Sequence, residues 1–135
     1  MSNITWKESF SIGIRVIDDQ HRRLIEIIND LYDAQRIGTS QFIMNGVINR
    51  LEEYTIYHFK LEEEMQSLNL YPDFNKHIEE HQEFIGKLSE FKQDSIRNNL
   101  LLSIKTIDYL KDWTINHILG SDRDFGEYLR KLEAA

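Results

Sequence analysis

At 135 residues the chain has the length of one ordinary domain, long enough to bury its own core without disulfides or a structural metal. It contains no cysteine, which removes disulfides, thiolate zinc sites, iron–sulfur clusters and cysteine nucleophiles together. Lys+Arg 16 against Asp+Glu 23 gives a net charge of -7, an acidic surface that lacks the basic footprint nucleic acid demands and repels anionic membranes. The first residues, Met-Ser-Asn-Ile-Thr-Trp-Lys-Glu, have no basic stretch followed by an apolar run, so no secretory signal is expected. No uncharged run approaches the ~20 residues of a membrane span. The expected location is the cytoplasm. One proline, few glycines and abundant Leu, Ile, Glu and Lys favour helix.

Residues 1–17 read as an extended arm, because Phe10, Ile12 and Ile14 alternate with Ser11 and Gly13. The first helix is expected from about Asp18 to Gln35, with His21, Leu24, Ile25, Ile28, Leu31 and Tyr32 in one stripe. Gly38, followed by Thr39 and Ser40, stops that helix and starts the next. The second helix is expected from about Gln41 to Gln66, with Val47, Leu51, Tyr54, His58, Leu61 and Met65 in phase. Pro72 suits the first turn of the third, which carries Phe74, His77, His81, Phe84, Leu88 and Phe91. A polar stretch from Gln93 to Asn99 precedes the fourth, expected from about Leu100 to Leu119 with Leu110, Trp113 and His117 on one face. Ser121-Asp122-Arg123-Asp124 has the form of a capping box, with Ser121 starting a short terminal helix. Short connections make neighbouring helices antiparallel. The expectation is a single all-α domain over 1–135: an up-down-up-down four-helix bundle (18–119) with an extended N-terminal arm (1–17) and a short C-terminal helix (121–131).

All five histidines fall on the apolar stripes of these helices. His58 and Glu62 are four apart, as are His77 and His81, and residues four apart share a helix face and can reach one metal. His117 is paired with Asp122 at a spacing of five. Imidazole suits iron, copper, zinc and nickel, and carboxylates bridge hard cations. Five imidazoles and two carboxylates are too many for one ion and suit two ions sharing the carboxylates. Burying that set without a cation would be costly. Five residues of regular α-helix turn about 500°, leaving His117 and Asp122 ~140° apart. A π-type turn or kink is therefore expected between them, with Gly120 as the residue that tolerates it. Glu63 and Glu80 lie roughly 100° off the ligand faces and read as solvated surface charges.

Four motifs carry a family resemblance. They are Ile17-Asp18-Asp19-Gln20-His21-Arg22-Arg23-Leu24, His58-Phe59-Lys60-Leu61-Glu62-Glu63, His77-Ile78-Glu79-Glu80-His81 and Trp113-Thr114-Ile115-Asn116-His117-Ile118-Leu119-Gly120-Ser121-Asp122. Together, from Trp6 to Leu129, the chain resembles the hemerythrin family, most closely its bacterial single-domain members. The resemblance implies that His77, His81 and His117 bind one iron and His21 and His58 a second. Glu62 and Asp122 would bridge the two beside an oxo or hydroxo bridge. The second iron would keep an open position for O2, or for NO and small anions. The family's oxygen pocket is apolar, and the matching positions are Leu24, Phe59, Trp113 and Ile118. One departure is Phe125, where the family often has tyrosine.

The function so implied is reversible O2 binding for storage, delivery or buffering, rather than an enzymatic activity. Carboxylate-rich di-iron bundles use glutamates and Glu-x-x-His pairs, and no such pair supplies this site. Neutral imidazoles stabilise high-valent iron less, which favours a reversible cycle. The alternatives are an O2, NO or redox sensor, for which 135 residues leave no room for an output domain, and a di-iron peroxidase or ferroxidase.

Overall fold

The computed structural model describes residues 3–38, 41–96 and 100–134. A 3-10 turn (Glu8–Phe10) in the arm leads into helices α1 (Arg15–Ile37), α2 (Gln41–Leu68), α3 (Phe74–Ile96) and α4 (Leu100–His117). Helix α4 runs without a break through a π-helical segment, Ile118–Asp122, into α5 (Arg123–Ala134). Each of the four long helices packs on the next, and α1 packs on α4, which closes an antiparallel four-helix bundle. Among the described residues there is no strand, and no helix is long and apolar enough to cross a membrane.

The arm is held by its own sequence. Phe10 and Ile12 are buried on the alternation expected, and Asp18 in the first turn of α1 reaches back to them. Its carboxylate accepts from the Ser11 hydroxyl at 2.5 Å and from the Ile12 N–H at 2.9 Å. Helix α1 therefore starts at Arg15, three residues before the expected Asp18, and Asp18 anchors the arm from inside the helix. The arm also crosses α5, where a side chain at Gly126 would overlap the Ile12 carbonyl oxygen. Glycine is required there by close approach.

Gly38 ends α1 in the left-handed region, and its N–H donates to the Ala34 carbonyl at 3.2 Å. Thr39 and Ser40, expected to start the second helix, lie outside the described residues. The expected boundary at Gln93 does not hold, because α3 continues through Ile96. Pro72 sits in the turn before α3 rather than in its first turn, and the Asp73 carbonyl accepts the His77 N–H at 3.0 Å. Helix α2 is rotated from its expected stripe. Its buried line is Ile48, Leu51, Thr55, His58, Phe59, Glu62 and Gln66, with Val47, Tyr54, Leu61 and Met65 half-buried at its edges.

Two apolar clusters fill the interior. One gathers Leu24, Ile28, Leu31, Leu51, Phe59, Phe84, Phe91 and Leu110, with Trp113 against it. The other gathers Phe10, Ile12, Ile17, Ile25, Tyr71, Ile118 and Phe125. His21 falls between Ile17 and Leu24, His77 and His81 between Tyr71 and Phe84, and His117 and Asp122 between Trp113 and Phe125. The bundle thus encloses a polar layer between two apolar ones.

Candidate metal centre

Seven side chains from five segments converge in that layer. Glu62, His77, His81, His117 and Asp122 each offer one atom within 4.8 Å of one another, and so do His21, His58, Glu62 and Asp122. Glu62 and Asp122 belong to both groups. All seven are buried, and His117 is the most exposed at 6 %. Glu62 Oε1 lies 2.5 Å from His77 Nε2 and 3.1 Å from His81 Nε2. Asp122 Oδ1 lies 2.9 Å from His77 Nε2 and 3.1 Å from His117 Nε2. On the other side, Asp122 Oδ2 is 3.0 Å from His21 Nε2 and Glu62 Oε2 is 3.3 Å from His58 Nε2.

The spacing of five between His117 and Asp122 is accommodated by the π-helical segment that joins them. The wider turn adds one residue per loop of backbone, so both side chains face the bundle axis. Gly120 does not supply the distortion through a positive φ; among the described glycines only Gly13 and Gly38 have one. Ser121 does not cap α5 as expected. It lies inside the π segment, and its hydroxyl donates to the Glu80 carboxylate at 2.7 Å.

Glu63 and Glu80 are not the solvated charges expected from sequence. His81 Nδ1–H donates to Glu63 Oε2 at 2.7 Å, and Glu80 Oε1 stands 3.8 Å from His117 Nδ1. A rotation of about 100° from the ligand face points towards the neighbouring helix in a closed bundle, not to water. Each glutamate therefore meets the outer edge of an imidazole on the next helix. Sequence reasoning also missed Gln20, whose Oε1 accepts from His58 Nδ1 at 2.8 Å. Its signal was available: Gln20 is three residues after Ile17 and four before Leu24, both buried. Gln20 and Glu63 thereby fix the tautomers of His58 and His81 that leave Nε2 as the inward lone pair.

The electrostatics favour a cation. Burial would raise the Glu62 carboxyl, but the imidazoles of His117, His21, His58 and His77 hold it well below the usual range. Burial and Glu62 would raise Asp122, yet His117 and His21 hold it low as well. Burial works against protonation of His21 and His77, but Asp122 and then Glu62 outweigh it and raise both to about 9. His58 meets Glu62 alone at 3.3 Å, so burial prevails and its pKa falls. Two ionised carboxylates thus sit in a buried layer, and the protons they draw onto His21, His77 and His117 supply positive charge that a bound cation would replace. Both ring nitrogens of His21 and His117, Glu62 Oε2 and both Asp122 oxygens are buried without a hydrogen-bond partner among the described residues. Native interiors seldom leave such groups unmet. Convergent, orphaned donor atoms of this kind fit metal ions.

The four expected pocket residues are not one group. Phe59 stacks on His81, with ring centroids 3.8 Å apart, and Trp113 stacks on His117 at 4.4 Å. Leu24 lies one turn beyond His21 in the same apolar cluster as Phe59, whereas Ile118 belongs to the opposite cluster. A polar neighbour went unnoticed in the sequence: Thr55, one turn before His58, is fully buried and its hydroxyl has no partner among the described residues. Phe125 is fully buried, 5.0 Å from the Tyr71 ring.

Comparison with known proteins agrees with this architecture. The family described as "Hemerythrin HHE cation binding domain" matches residues 12–129. The bacteriohemerythrin of Stenotrophomonas maltophilia is 32 % identical over 131 residues, covering 96 % of this chain and 84 % of that protein. The bacteriohemerythrin of Methylococcus capsulatus is 28 % identical, with 96 % and 98 % covered. A crystal structure of wild-type hemerythrin superposes with a TM-score of 0.84 at 26 % identity, covering 93 % of this chain and 97 % of that one. The chain belongs to the hemerythrin family.

Proposed function

We propose that this protein binds O2 reversibly at a pair of iron ions, for oxygen storage, delivery or buffering. In this reading His77, His81 and His117 hold one ion, His21 and His58 the other, and Glu62 and Asp122 serve both. The single observation that carries it is the sharing of Glu62 and Asp122 between two ligand groups of unequal size. The group with only two histidines leaves room for an incoming ligand. Held there, two ferrous ions would supply the pair of electrons that O2 takes up on binding and gives back on release.

The chain's own residues make reversibility credible. Glu63 and Gln20 orient His81 and His58 through their outer nitrogens. The imidazoles are neutral donors, so the site carries few anionic ligands to stabilise higher oxidation states. Leu24 and Phe59 are buried in the apolar cluster beside it and offer water none of the polar partners it needs to stay. The test is spectroscopic. Iron-loaded protein, reduced and exposed to O2, should develop an absorption band that vanishes when O2 is swept away and returns on re-exposure. A band that never reverses, with steady consumption of O2 and reductant, would make the protein an oxidase instead.

A further inference from the structure

A cavity of about 390 Å³ opens between α3 and α4, beside the buried centre. Its walls carry Glu80, Glu83 and Asp112, with Tyr109 and Asn116 between them, and Trp113 and His117 at its inner end. His117 is the most exposed of the seven convergent residues, and it lines this cavity. Both of its ring nitrogens lack a hydrogen-bond partner among the described residues, whereas the His58 and His81 rings are pinned through Nδ1. It also stands at the junction where α4 gives way to the π segment, in a less regular stretch of backbone.

We propose that this acidic cleft is a capture site for hydrated divalent cations, through which metal enters the buried centre past His117. The proposal rests on the reading of the seven residues as metal ligands. Those residues are all nearly inaccessible, so an ion must pass a wall of the bundle. Carboxylate oxygens suit a hydrated divalent ion, and a cleft with one sign of charge raises the local ion concentration and the entry rate. The Glu83 carboxylate is positioned for this, since the Tyr109 hydroxyl donates to it at 2.6 Å. Lys87, whose Nζ lies 5.2 Å from the Tyr109 ring centroid, pairs with Glu90. Glu80 stands between the cleft and the centre, held by the Ser121 hydroxyl on one side and 3.8 Å from His117 Nδ1 on the other. The captured ion would pass from Glu83 and Asp112 to Glu80 and then to His117, with no bond made or broken except its own coordination.

The experiment follows uptake, not oxygen binding. Full-length protein is freed of metal with a chelator, checked for helix content by circular dichroism, and given Fe2+ anaerobically at low salt. Samples are quenched with a strong ferrous chelator, and bound iron is counted against time. Glu83→Gln with Asp112→Asn should reach the wild-type endpoint about tenfold more slowly, within the range that electrostatic focusing supplies. Its rate should depend less on ionic strength. Asn116→Asp adds a carboxylate to the same wall and should speed uptake. Glu64→Gln, on the exposed face of α2, serves as the remote control and should match wild type. Equal uptake rates in wild type, the double variant and Asn116→Asp would overturn the capture site while leaving the metal centre intact. A wild type that takes up no iron would overturn the metal reading on which the route depends.

Discussion

At the scale of single residues, the outer nitrogens of the imidazoles distinguish this site from a mere gathering of buried polar groups. The His81 ring is held between Glu63 at its outer edge and Phe59 stacked on its face. Removing that outer partner leaves the ligand in place but frees its tautomer and orientation. Losses of about 10–100-fold in metal affinity are usual for such changes. Glu63→Ala should lose metal to a competing chelator at correspondingly lower chelator concentration, with helix content unchanged. An unaltered competition curve would make the Glu63–His81 contact incidental. Leu24 makes a separate prediction. It is buried one turn from His21 and is not among the convergent residues, so Leu24→Ser should keep its full iron content. A hydroxyl there gives water a partner, so the oxygenated form should decay faster than in wild type. Equal decay at equal iron content would remove Leu24 from the shield.

At the scale of elements, the π segment is the feature on which the site's geometry turns. The sequence spacing of His117 and Asp122 demands such a turn, and the segment Ile118–Asp122 supplies it. Deleting Gly120 should return the segment to regular α-helix and leave His117 and Asp122 four residues apart, about 40° from one another and on one face, as His58 and Glu62 are. Gly120 is exposed and has no neighbour where a side chain would stand, so its loss crushes no packing. The variant should keep its helical circular dichroism and still hold two metal ions per chain. Loss of an ion from the folded variant would show that the wide turn does more than bring the two side chains onto one face. Other element-level features were less legible in the sequence. The buried line of α2 includes Thr55 and Gln66, which periodicity of apolar residues cannot place. The stripe drawn through Val47, Tyr54, Leu61 and Met65 therefore ran along one edge of the true face. Ser121 has the sequence form of a cap, but a cap needs a helix end, and α4 to α5 is one unbroken run.

At the scale of the whole molecule, the bundle works as two apolar clusters with a charged layer between them. The histidines and the two carboxylates were legible because metal chemistry restricts residue types and helices restrict spacing. Glu63, Glu80 and Gln20 were not, because their roles depend on which helix lies alongside. That information is tertiary: a position about 100° from the ligand face can meet water or a neighbouring helix. The same architecture explains why the centre suits a cation. Seven ionisable groups are buried in one layer, and the orphaned atoms among them face one another.

The most direct measurement is the number of metal ions bound per chain in protein produced with adequate iron, wild type beside Glu62→Ala. Glu62 belongs to both ligand groups, so its loss should affect both ions. The account predicts two irons per wild-type chain, separated by about the ~3.5 Å usual for bridged pairs, and at most one in the variant. One tightly bound ion per wild-type chain, or two in Glu62→Ala, would contradict it.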